Sequence, residues 1–280
     1  MQGWWREVAG LVLPVSCGGC GRPRTALCPP CEAELTGSGP GRVRPVPEPA
    51  GLPVVHAAAP YEGAVREVLL AHKERGALPL AGPLGAALAG AVVAAAGGLG
   101  GPGDGPLLLV PVPSSRRSVR ARGHDPTRRI ALAAAGRLRR AGPAARVLPA
   151  LRQRRWVADQ SGLGAGERLA NLAGALEVAA GAARLLDEAE RAGGRVVLVD
   201  DLMTTGASLA EAARALAAAR PAAGGVHRPF TFHGLTHSSK GGAAEGLFER
   251  PVAAVVASSP ASFEINRNSR GSCIVAGGER

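Results

Sequence analysis

The sequence predicts an α/β fold, a parallel sheet flanked by helices, with a small cysteine-rich module at its N-terminus. Three observations predict it. Leu107–Val110 and Val196–Val199 are short, unbroken apolar runs, suited to strands buried on both faces of a parallel sheet. The second run leads through a turn into an Ala-rich helical stretch from about Ala207 to Arg220. Four of the five cysteines fall between Cys17 and Cys31. A chain of 280 residues has room for one sizeable α/β domain plus a small appendage. With aromatics at only 3%, its core must be built from Ala, Val and Leu.

From the N-terminus, Trp4, Trp5, Val8, Leu11 and Val12 have the spacing of a short amphipathic helix within residues 1–16. Such a helix is expected to pack on its own domain; the two adjacent tryptophans are the only argument for a membrane-surface or partner helix instead. Cys17, Cys20, Cys28 and Cys31 form two C-x-x-C hairpins, which place four thiolates tetrahedrally around Zn²⁺, with Gly18, Gly19 and Gly21 allowing a tight first knuckle. A disulfide pair is the alternative, though nothing else in the chain argues for export. Four thiolates close the coordination sphere, so the site is structural rather than catalytic. Cys273 lies in the tail and is assigned no role.

Residues 36–53, rich in Gly and Pro, read as a linker. Val54–Ala58 is expected as a strand and Tyr61–His72 as a helix, with Val65, Val68 and Leu69 inward. Lys73-Glu74-Arg75-Gly76 ends it with cations and a Gly cap. Lys73 is then either a helix-end cation or a functional one. Leu80–Ala96 reads as a buried helix and Gly97–Pro106 as a loop.

The Leu107–Val110 strand runs into Pro111-Val112-Pro113-Ser114-Ser115-Arg116-Arg117, then Arg120, Arg122, Gly123, His124 and Asp125. A loop rich in Arg and Ser at a strand's end stands where open α/β sheets bind ligands, and Arg forks match phosphate oxygens. A solvated basic loop is the plainer reading. His124 is a candidate base or simply a loop residue. Asp125-Pro126 starts a helix, with Asp as N-cap and Pro in the first turn. Leu151–Leu172, polar and Gly-rich around Trp156, reads as a lid that excludes water or as a solvated linker.

Arg195–Leu209, R-V-V-L-V-D-D-L-M-T-T-G-A-S-L, is the most informative stretch. Asp200 and Asp201 follow the strand, and Thr204, Thr205, Gly206, Ala207 and Ser208 form a small, hydroxyl-bearing turn into a helix. Such a turn cradles phosphate through backbone N–H groups, hydroxyls and the helix dipole. Gly206 lets the backbone come close to the anion. The carboxylates repel phosphate and suit diol hydroxyls or a divalent cation. Phosphate on one side and vicinal hydroxyls on the other describe a ribose 5-phosphate. No G-K-[ST] occurs, which excludes a P-loop.

The apolar run, the paired acids and T-T-G-A-S resemble the signature of type I phosphoribosyltransferases, which bind phosphoribosyl pyrophosphate (PRPP). The resemblance implies that Asp200 and Asp201 contact the ribose hydroxyls, with Mg²⁺ accompanying PRPP, and that Thr204–Ser208 hold the 5-phosphate. It places pyrophosphate on the Pro111–Arg122 loop, with Ser114 and Arg116 as ligands and Arg122 in a catalytic role beside the two acids.

Taken in order, the cysteine hairpins, Y-E-G-A-V-R-x-x-L-x-x-x-K, P-V-P-S-S-R-R-x-x-R-x-R-G, R-x-x-x-x-x-Q-S-G-L-x-x-x-E-R-x-x-N and the turn resemble the ComF family. Its members are phosphoribosyltransferase-like proteins linked to DNA uptake in natural competence. The match covers roughly residues 11–220, with Ala253–Asn268 as final strand and tail. His124-Asp125 stand where that family more often shows an aromatic and Asn. The expected organisation is an N-terminal helix, zinc module and linker (1–49), a phosphoribosyltransferase-like domain (50–268) interrupted by an irregular insertion (221–251), and a tail (269–280).

Charge placement adds a second functional reading. Between Arg116 and Arg168 stand 14 Arg against Asp125, Asp159 and Glu167, a local net of +11 that equals the net charge of the chain. Such a field suits a pyrophosphate-bearing ligand and equally nucleic acid. One expectation is therefore a transferase or sensor of the phosphoribosyl group, with unknown acceptor. The other is a competence factor engaging single-stranded DNA or a helicase. Neither Val8–Val15 nor Leu84–Gly98 reads as a targeting or membrane-spanning segment, the latter being mostly Ala and Gly, so a cytoplasmic protein without stable membrane insertion is expected.

Overall fold

A computed structural model describes residues 15–37, 39–98, 105–155, 165–219 and 251–263. Most of the N-terminal helix, Trp156, the Q-S-G motif, nearly all of the 221–251 insertion and the tail with Cys273 lie outside them.

In chain order the elements are α1 (Pro29–Thr36), β1 (Gly41–Val43), β2 (Val55–Pro60), α2 (Gly63–Lys73), α3 (Ala81–Ala95), β3 (Leu107–Pro111), α4 (Arg116–Arg122) and α5 (Pro126–Ala141). There follow β4 (Ala145–Val147), β5 (Leu151–Gln153), α6 (Ala165–Leu172), β6 (Leu176–Val178), α7 (Ala182–Arg191), β7 (Arg195–Met203), α8 (Ala207–Ala218) and β8 (Val252–Ser258). Six strands form one sheet in the order β1-β2-β8-β7-β3-β4, parallel throughout except for β1 at the edge. β5 and β6 make a separate antiparallel hairpin.

The apolar runs are buried on both faces, as a sheet covered by helices requires. In β7, Val197 and Val199 join a core with Leu84, Leu88, Ile130 and Leu138 of α3 and α5. Val196 and Leu198 face the other way, into a core with Leu186, Leu209 and Leu216 of α7 and α8. β3 and β8 alternate in the same register, so the two-residue period of the strand divides each run between two helical layers. Small residues let neighbouring helices of one layer approach: a Cβ on Gly85 of α3 would lie 2.5 Å from that of Ala133 in α5.

Several boundaries differ from expectation. Residues 36–53 are not all linker, because Gly41–Val43 pairs with β2 and buries Val43. β7 continues through the two aspartates, because Asp200, Leu202 and Met203 still pair with β8. The basic loop after β3 is short; Ser115 caps a helix at Arg116–Arg122 by accepting from Ser118 N at 3.0 Å. Leu151–Leu172 is not one open segment, since its ends form β5 and α6. Leu78–Ala95 is long and apolar enough to cross a membrane, with mean hydropathy 1.8, which corrects the view that composition alone rules it out. Here it is a core helix, with Leu80, Leu84, Leu88 and Val92 buried.

Candidate functional site

β3 and β7 are neighbours whose connections leave in opposite directions. The chain after β3 passes through α5 to β4 on one side, and that after β7 through α8 to β8 on the other. Their carboxyl ends therefore open at a topological switch point, where open α/β sheets bind ligands. A cleft of about 1680 Å³ lies there. It exceeds the roughly 300–1,000 Å³ of a single small-ligand site, which leaves room for two substrates.

Lys73, Thr127, Asp200 and Asp201 stand together on the cleft wall. Lys73 Nζ is 2.8 Å from Oδ2 of the buried Asp201. Lys73, the helix-end cation, thus reaches the acidic pair as well. Burial alone would lower its pKa, but the Asp201 charge and hydrogen bond outweigh that and raise it. Asp200 Oδ1 accepts from Asp201 N at 2.8 Å and from Thr127 Oγ1 at 3.3 Å. Burial first, then the Asp201 charge, push the Asp200 carboxyl well above the usual carboxylate range, against the pull of Lys73. Two adjacent carboxyls, one paired with a lysine and one inclined to keep its proton, prefer a cation or hydroxyl donors to an anion.

At the next turn Gly206, with φ +75°, is the N-cap of α8. A Cβ there would be strained by that φ and would sit 3.0 Å from Leu52 Cδ1. Thr204 and Ser208 line the cleft, while Gly206 and Ala207 are buried and Thr205 is half-buried. Ala207 is buried against Leu172 and Ala175.

Ser114, Ser115, Arg116 and Arg117 line the cleft as one bank, and Arg122 lines it too. Arg122 donates from Nε and Nη2 to the two carboxylate oxygens of Glu74, at 2.9 and 2.7 Å. Its guanidinium is thereby fixed in orientation at the end of α4. His124 also lines the cleft, its ring edge-on to His72 with centroids 5.5 Å apart. The second bank is the β5–β6 hairpin, which brings Arg152, Gln153, Arg154 and Arg155 to the same cleft. Arg152 pairs with Glu177 across the hairpin at 2.9 Å.

The structure brings Ser114, Arg116, Arg122, Asp200, Asp201, Thr204 and Ser208 around one cavity. Sequence reasoning missed Thr127 and the Glu74 partner of Arg122. Neither carries a local signal, because both meet their partners only through the fold.

Away from the cleft, Cys17, Cys20, Cys28 and Cys31 gather with their Sγ atoms within 4.8 Å of one another. A tetrahedral ion with metal–sulfur bonds near 2.3 Å needs thiolates about 3.8 Å apart, so the cluster fits a metal such as zinc. Cys28 N donates to Cys17 Sγ at 3.3 Å. Burial would raise the Cys17 pKa, but backbone N–H groups of Cys20, Cys28 and Gly19 outweigh it and bring it down to about 6. A Cβ on Gly19 would lie 2.7 Å from Cys31 Sγ, so the first knuckle closes only over glycine. The module is anchored through Leu35 of α1, fully buried in the main core.

The phosphoribosyl transferase domain family matches residues 152–227, from the β5 hairpin through the acidic pair and the turn to the end of α8. That match spans 76 of the 280 residues. No curated protein matches it.

Proposed function

We propose that this chain binds PRPP with Mg²⁺ in the β3–β7 cleft and transfers the phosphoribosyl group to an acceptor. The observation that carries this reading is the mixed chemistry of one cavity, which Asp200 and Asp201, the hydroxyl-bearing turn residues Thr204 and Ser208, and several arginines line together. The Thr204–Ser208 turn would take the 5-phosphate through its hydroxyls and backbone N–H groups. The acidic pair would accept hydrogen bonds from the ribose hydroxyls. Arg116 and Arg117, both exposed on the first bank, would hold pyrophosphate.

In the transfer, the bond from ribose C1 to a pyrophosphate oxygen breaks, and the acceptor's nucleophilic atom bonds to C1. Mg²⁺ accompanying PRPP supplies charge neutralisation of the departing pyrophosphate. Arg122 would add positive charge there, oriented by Glu74, and Ser114 a hydrogen bond. Asp201, paired with Lys73, would set its carboxyl near the sugar as positive charge develops on C1. Zn²⁺ would be held by the four cysteines, closing their loops structurally.

The order of motifs along the chain supports the finer assignment to the ComF type. A competence factor on single-stranded DNA or a helicase would use the same arginines. Their convergence on a cavity that also holds an acidic pair, with Asp201 buried, favours a compact anionic ligand with hydroxyls. The test is release of pyrophosphate from PRPP and Mg²⁺ with candidate acceptors supplied. Release lost in Asp200→Asn/Asp201→Asn supports the transferase; PRPP binding without release by any acceptor supports a sensor.

A further inference from the structure

We infer that Glu211 and Arg214 of α8 are positioning residues that lock the arginine-bearing β5–β6 hairpin to the helix carrying the phosphate turn. The inference rests on the ligand reading proposed above.

The β5–β6 pair has three residues per strand and, among the described residues, joins no other strand. Two-stranded hairpins of this size are not stable in water without packing against something else. Along the outer edge of β6, side chains do what a third strand would do. Leu176 N donates to Glu211 Oε1 at 2.9 Å, and Arg214 Nη2 donates to Leu176 O at 2.9 Å. Arg214 also donates to both Glu211 oxygens, from Nε to Oε2 at 2.7 Å and from Nη2 to Oε1 at 2.8 Å. The Glu211 carboxylate is buried while the guanidinium is about half exposed. Only a donor and an acceptor held together can satisfy both polar groups of one strand residue.

Two further contacts tie the same parts. Leu172 and Ala175 pack on Ala207, the first residue of α8. Arg155 Nη2 donates to Asn171 O and Ala173 O, both at 2.8 Å, which binds the end of β5 to the approach to β6. Glu211 stands one turn into α8 from Ala207, so the turn and the hairpin share one support. The hairpin's cleft side carries Arg152, Gln153 and Arg154. Turn and arginines therefore meet a ligand as one body, and loosening the pair would leave each in place but out of mutual register.

Amide exchange on the full, metal-loaded chain tests this, with PRPP and Mg²⁺ as the probe and Arg214→Ala beside wild type. In Arg214→Ala, amides of Leu151–Gln153 and Leu176–Val178 should exchange on the order of tenfold faster, while Leu107–Pro111 and Val252–Ser258 stay protected. PRPP should slow hairpin exchange in wild type, and its affinity should fall on the order of tenfold in the variant. Glu211→Gln keeps an acceptor for Leu176 N and should lie between the two. It also serves if Arg214→Ala does not fold. Unchanged hairpin protection overturns the inference, as does a loosened hairpin with unchanged PRPP affinity. If wild type fails to bind PRPP while the variant hairpin still loosens, the ligand reading falls and the lock between hairpin and helix stands.

Discussion

Lys73 Nζ lies 2.8 Å from Asp201 Oδ2, so the last residue of α2 is joined to the cleft-facing end of β7. Lys73 thus ties a helix of one core layer to the central strand. Its partner is almost wholly buried, with the Asp201 side chain 5% exposed against 32% for Lys73.

Removing the lysine should leave a buried carboxylate without its cation. Lys73→Ala is expected to cost about 1–3 kcal/mol, less than a fully buried pair because the lysine is partly solvated. Denaturant unfolding checks this. In the double variant Lys73→Ala/Asp201→Asn the loss should be smaller than the sum of the single losses.

Asp200 makes the opposite prediction. Its folded pKa is raised, so the folded state holds the proton more tightly than the unfolded one. That contribution to stability is fully present below the unfolded value, near 3.9, and is lost as pH rises through the folded value. Asp200→Asn should therefore raise the melting temperature of the ligand-free protein at neutral pH. The advantage should shrink as pH falls and vanish below the ordinary carboxylate range. Melting curves across pH, wild type beside variant, read this directly.

Local patterns in the sequence made much of this legible. An apolar run, an acidic pair and a small hydroxyl turn are contiguous, and backbone geometry alone turns them into a strand end and a helix N-terminus. The four cysteines are legible for the same reason. What stayed hidden depends on partners distant in sequence. Thr127 gains its role only when α5 is laid beside β7, and Glu211 only when Leu176 arrives with a free strand edge. Gly41–Val43 has no strand-like composition and is held by pairing with β2. The basic stretch after β3 read as loop because its arginines hide a helix that Ser115 caps.

Metal removal tests the cysteine cluster. The chain as isolated should carry one zinc ion, released in full when a thiol reagent modifies the four cysteines. Chelation should lower the melting temperature, because Leu35 carries any loosening of the module into the main core. Cys20, the exposed member, should react first.

On the first bank, Arg116→Ala should weaken inorganic pyrophosphate binding on the order of tenfold, the loss of one charge-assisted contact. The dependence of pyrophosphate affinity on salt should become shallower. Calorimetry at several ionic strengths measures both.

The most direct test of the ligand reading is calorimetric titration of the zinc-loaded chain with PRPP and Mg²⁺, wild type beside Asp200→Asn/Asp201→Asn. The cleft described here predicts saturable one-site binding by wild type and none by the double variant, with both proteins folded. Equal binding by the two, or none by either, would contradict the assignment of the acidic pair and the turn to a phosphoribosyl ligand.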